Sequence, residues 1–122
     1  MSDYDALGGA AGLRRVLDDF VNRVMNDTII GFLFERVDRE QLIAHEVAFA
    51  AAHLGGPKAY AGRPLPAVHR PKRIHRGHFR RRAALLRTTL RAHAAPEDVI
   101  ARWLATEAAL MDQVVSPGDC LG

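Results

Sequence analysis

Apolar residues recur every three or four positions through most of this chain, the spacing that gives an α-helix one buried face. From about residue 10 to residue 26 the set is Leu13, Val16, Leu17, Phe20, Val21 and Val24, behind a break at Gly8-Gly9. Asp38 is placed to cap a second helix, with Glu40 and Gln41 in its first turn and Gly55-Gly56-Pro57 as its stop. A third helix runs from about residue 77 to 94, with Phe79, Ala83, Leu86 and Leu90 on one face. A fourth begins after Pro96, where Glu97 and Asp98 suit the positive end of the helix dipole. It carries Val99, Ile100, Trp103, Leu104, Met111 and Val114 and ends before Pro117.

Two stretches break this pattern. The connection Ile30-Gly31-Phe32-Leu33-Phe34 is too apolar for an exposed loop and is expected to pack its aromatic side chains inward. Prolines at 57, 64, 66 and 71 exclude long helix there, leaving room for only a short turn around residues 67–70. Nothing alternates with a period of two, so the expected class is all-α. One domain is expected over residues 1–122, with its core at about 4–115 and a tail at 116–122.

With 122 residues, 48% apolar and 25% charged, the chain has the balance of a soluble globular domain. Its one cysteine, Cys120, allows no intrachain disulfide. No run approaches the ~20 apolar residues of a membrane span, and the first residues lack a signal-peptide pattern, so the cytoplasm is the expected location and no membrane is expected as a partner. The net charge is +3, but Arg70, Lys72, Arg73, Arg76, Arg80, Arg81, Arg82, Arg87 and Arg91 fall close together. A basic helical module over residues 70–91, binding nucleic acid or an acidic partner, is the alternative this raises. Phe79 is the only aromatic residue interleaved among those cations, and adjacent arginines point in several directions around a helix. A solvated basic face is therefore the reading adopted, and no nucleic acid is expected. Arg73, Arg76 and Arg80 could still dock an acidic redox partner.

The six histidines are His45, His53, His69, His75, His78 and His93. They form no zinc pattern, and the chain has neither a phosphate-binding glycine loop nor a recognisable nucleophile, so hydrolytic chemistry has no support. His45 and Glu46 share a helix face with Leu42 and Phe49. His69 follows Leu65 and Val68 in the broken segment, where a short turn could present it to a cavity. The residues alone leave a surface role, a hydrogen-bonded core role and a cofactor pocket all open.

From Tyr4 to about Val115 the chain resembles the truncated haemoglobins, specifically group I. The landmarks are Gly8-Gly9 before the first long helix, Phe20 within it, Phe34, the motif Leu54-Gly55-Gly56-Pro57 followed by Tyr60 and Gly62, then Val68-His69, His78-Phe79 and Pro96-Glu97-Asp98. The resemblance implies a two-over-two helical sandwich enclosing one haem b, with His69 as the proximal iron ligand. It places His45 where some relatives supply a distal histidine, giving an iron held by two histidines until an incoming ligand displaces one.

The distal side departs from the family pattern. Val21 stands where many relatives have a tyrosine, and Glu46 where glutamine is common. An ionised Glu46 only accepts hydrogen bonds, whereas a protonated one could donate. Phe34, Leu42, Phe49, Ile74 and Phe79 are carried over as pocket lining, with Trp103 a weaker candidate. Tyr60 and Arg63 are placed near the haem propionates. Arg82 replaces a usually apolar residue, so it either reaches a propionate or sits on a rotated helix. No histidine lies beyond His93 and no cysteine pair is present, so the haem is expected to be held non-covalently. The implied work is binding of oxygen, nitric oxide or carbon monoxide, or redox chemistry. Nitric oxide dioxygenase-type turnover would draw on a separate electron-donor protein.

Overall fold

In this computed structural model of the chain the described residues are 1–57 and 76–114, with side chains through residue 110. Their elements are α1 (Asp3–Ala6), α2 (Gly9–Met25), a 3-10 turn (Gly31–Phe34), α3 (Arg39–Leu54), α4 (Arg76–Ala92) and α5 (Glu97–Val114). All are helical. Helix α2 packs against both α3 and α4, and α4 packs against α5.

The long helices follow from the periodicity. On α2, Leu13, Val16, Leu17, Phe20, Val21 and Val24 are all buried, with Leu13 and Leu17 at 0% exposure. Each such side chain taken from water contributes on the order of 1.5–3 kcal/mol. The Asp38 side chain accepts the Gln41 N–H at 2.9 Å and starts α3. Gly55 ends α3 in the left-handed region at φ 89°, where a side chain would be strained. On α4 and α5 the core residues are Leu86, Leu90, Val99, Ile100 and Trp103. Thr89 joins them fully buried, its hydroxyl donating to the Leu85 carbonyl at 2.7 Å.

The connection before α3 differs from expectation. Ile30 and Gly31 are buried, Leu33 and Phe34 are half-buried, but Phe32 is 55% exposed. A 3-10 turn has three residues per revolution, so consecutive apolar residues cannot all face one core. Gly31 takes the inward position because a Cβ there would lie 2.8 Å from the Met25 carbonyl oxygen.

Helix α1 was not signalled by apolar spacing. A reciprocal cap forms it: the Ser2 hydroxyl accepts the Asp5 N–H, and the Asp5 carboxylate accepts the Ser2 N–H. Its Asp3 accepts two hydrogen bonds from Arg102 of α5, each 2.8 Å. The Tyr4 ring lies over Gly56, where a Cβ would come within 2.5 Å of the ring. Here glycine is needed for close approach.

Candidate functional site

Helix α3 has apolar residues on two sides. Ile43, Ala50, Ala51 and Leu54 are buried against the core, while Leu42, His45, Glu46, Phe49 and His53, spaced along a second face, are half-buried. Phe79 at the start of α4 is buried, and its neighbour His78 lies edge-on to Phe32 with ring centroids 5.6 Å apart. Val21 is buried on α2 and offers no hydroxyl. Phe34 is half-buried and packs against the main core. His69, Tyr60, Arg63 and Ile74 lie outside the described residues.

A charged cluster joins this face to the two C-terminal helices. Arg82 of α4 donates to both oxygens of Glu46, at 2.9 and 3.3 Å, and to both oxygens of Glu107 on α5, at the same two distances. Its guanidinium carbon stands 4.9 Å above the Phe20 ring of α2. Side-chain exposures are only 15% for Arg82, 12% for Glu46 and 6% for Glu107. Burial by itself would raise the Glu107 carboxyl, but the Arg82 charge, its hydrogen bonds and a 3.3 Å bond from the Trp103 indole N–H together hold it below its ordinary value. Burial likewise works against the Arg82 cation, and the two carboxylates more than offset it.

This arrangement bears on the expectations for two residues. Arg82 does not belong to a solvated basic face, because its donors are taken by two carboxylates inside the fold. Glu46 correspondingly accepts from Arg82 in this arrangement. Glu107 went unnoticed in the sequence. The available signal was its place four residues after Trp103 on an otherwise apolar helical face.

His53 lies one and two turns further along α3. Its ring is edge-on to Phe49 at 5.4 Å and to Trp103 at 5.7 Å, and Nε2 is buried with no hydrogen-bond partner among the described residues. Burial pushes this imidazole down, toward the neutral form. Trp103, at 2% exposure, is core and a wall for His53.

The basic stretch is further depleted of free charge by Arg81, which reaches Asp27 at 2.6 Å, and by Arg91, which pairs with Glu97 at 3.0 Å. Asp27 also accepts the N–H groups of Ile29 and Ile30, and, with the Arg81 hydrogen bonds as the largest cause, its pKa falls to about 2. A depressed carboxylate contributes stability above its unfolded value, and that contribution is lost as pH drops through the folded value. Asp27→Asn is therefore expected to flatten the fall in Tm between about pH 4 and pH 2, as thermal melts across that range would show. An acid limb equally steep in the variant would contradict this assignment.

A flat, largely apolar prosthetic group carrying iron needs aromatic and aliphatic walls plus an imidazole ligand. The described residues fit one side of such a group. Leu42, Phe49 and Phe34 are apolar yet only half-buried, Phe32 and Ile29 are more than half exposed, and His45 lies on the same α3 face.

Known proteins agree with that fit. Residues 2–115 match the family described as bacterial-like globin. The group 1 truncated hemoglobin GlbN of Mycolicibacterium paratuberculosis is 32% identical over 94% of this chain and 85% of its own length. The protein of the same name from Synechocystis is 34% identical over 87% of this chain and 89% of its own. Among solved structures, a truncated hemoglobin from Tetrahymena pyriformis superposes with a TM-score of 0.90 at 21% identity, covering 95% of this chain and 99% of that one. The 2/2 hemoglobin of a Synechococcus species, solved with covalently attached heme, gives 0.87 at 24% identity, covering 94% and 98%. Those two likenesses establish the fold, and the match over residues 2–115 establishes the lineage. The chain belongs to the bacterial-like globins, as a truncated hemoglobin of two-over-two helical architecture with haem as its cofactor.

Proposed function

We propose that this globin binds small neutral gases at a haem held by His69 on the proximal side, with His45 as a displaceable distal ligand. The observation that carries this reading is the make-up of the distal wall. His45 is half-buried on the α3 face of Leu42 and Phe49, Val21 is buried and apolar, and Glu46 is turned to Arg82. Haem iron, when bound, supplies a coordination position for gas ligands and a one-electron couple.

The chain's own residues then divide the work. On the family pattern His69 would hold the cofactor, Tyr60 and Arg63 would meet its propionates, and Phe34, Ile74 and Phe79 would exclude water from its faces. Neither Val21 nor the ion-paired Glu46 donates a hydrogen bond, which disfavours tight oxygen storage. Nitric oxide or carbon monoxide binding and one-electron redox work are favoured instead, with an electron-donor protein as partner for any turnover. Internal pairing of Arg81, Arg82 and Arg91 weighs against a nucleic-acid module built on residues 70–91.

Titration of the chain with hemin, followed by its Soret band, tests the reading. Wild type is expected to saturate at one equivalent, and His69→Ala to hold haem at least about tenfold more weakly. Equal affinity in the variant would remove His69 from the site.

A further inference from the structure

We propose that the buried Glu46–Arg82–Glu107 cluster sets the charge selectivity of the haem site, admitting neutral ligands and resisting anionic ones. This rests on the haem-site reading above.

The charge count is the starting point. One guanidinium is shared by two carboxylates, each held through paired hydrogen bonds, so the cluster carries one net negative charge. It lies inside the fold, with side-chain exposures of 15, 12 and 6%, where salt screens poorly. Further along α3, His53 is driven toward its neutral form by burial, which weakens any compensation from that side. Arg81 is engaged by Asp27 and does not serve the cluster.

Position supplies the second step. Glu46 directly follows His45 on the same half-buried face of α3, so the proposal sets the cluster's charge on the order of 10 Å from a ligand that takes the place of His45. At that range, in a medium of effective dielectric about 20, one unit of charge changes the affinity of an anion by roughly tenfold. Neutral ligands feel almost none of it. The wall thus discriminates by charge where a hydroxyl or amide donor would discriminate by hydrogen bonding.

The test is azide binding to the ferric haem-loaded protein, read in the visible spectrum, beside imidazole as a neutral ligand of the same ferric state. Glu107→Gln removes one charge away from the haem and is expected to tighten azide about tenfold while leaving imidazole within about twofold. Glu107→Asp keeps the charge and is expected to bind azide as wild type does. Should Glu107→Gln fail to fold, Glu46→Gln makes the same change in charge and is expected to move azide in the same direction. Unchanged azide affinity in a folded, haem-loaded neutralised variant overturns the proposal, as does equal tightening in Glu107→Asp. A wild type that takes up no haem instead defeats the reading on which the proposal rests.

Discussion

Replacing Arg82 with methionine is expected to cost about 3–5 kcal/mol of stability, because it leaves two carboxylates buried without their cation. In a chain of this length that corresponds to a fall in Tm of roughly 10–20 °C. The side chain's size is nearly kept, so lost packing against Phe20 contributes little, and desolvated negative charge accounts for most of the change. Replacing the whole cluster tells a different story. Arg82→Met combined with Glu46→Leu and Glu107→Leu removes every buried charge, and buried ion clusters exchanged for packed apolar groups are often neutral or stabilising. The triple variant should therefore melt well above the single one. The pH response reverses as well. In wild type the depressed Glu107 contributes stability above its ordinary pKa and loses it in acid. In Arg82→Met that carboxyl, buried without the cation, is raised instead, so the single variant should gain stability relative to wild type as pH falls from 7 toward 4. Urea unfolding at several pH values measures both effects, and a loss below about 1 kcal/mol in Arg82→Met would show that the carboxylates are not buried as described.

The second large effect concerns His45. The haem-loaded wild type is expected to be low-spin in the ferric and ferrous states, and His45→Ala to be high-spin in both. Carbon monoxide should then bind the variant faster and tighter. If His45 occupies the iron in all but about 1% of wild-type molecules, its removal raises apparent affinity about 100-fold, since only the open fraction binds. Flash photolysis and absorption spectra provide the comparison. A wild type already high-spin, with carbon monoxide binding unchanged in His45→Ala, would leave the distal position open and confine His45 to the helix face.

Most of the fold could be read from apolar spacing. The caps at Asp38 and Gly55 bound α3 in the structure as they do in the sequence, and the four long helices stand within two residues of their expected limits. Helix α1 was missed because its signal is polar: a serine, an aspartate three residues later, and no buried residue. Phe32 was misjudged because composition reports that a segment is apolar, not which of its residues the turn sends outward. The charged cluster was half legible. Glu46, Arg82 and Glu107 each interrupt an otherwise apolar helical face, a conflict that invites a search for partners. Periodicity gives the phase of each helix about its own axis and says nothing of which faces meet, so only the packed structure pairs these three. His69, Tyr60, Arg63 and Ile74 rest on the family pattern alone, since they fall outside the described residues.

The short first helix has a topological consequence. Asp3 and Arg102 are 99 positions apart, so their bond closes a loop spanning most of the sequence. Closure over such a length forfeits much chain entropy before any contact repays it, and the pair is exposed, with Arg102 at 55%. Docking of α1 is thus expected late in folding, and its release should be among the first openings of the native state. That release would lift Tyr4 from Gly56, at the end of the helix that carries His45 and Glu46. Amide exchange should accordingly be fast in α1 and at the Gly55 end of α3, with α3 fraying from its glycine end rather than from Asp38.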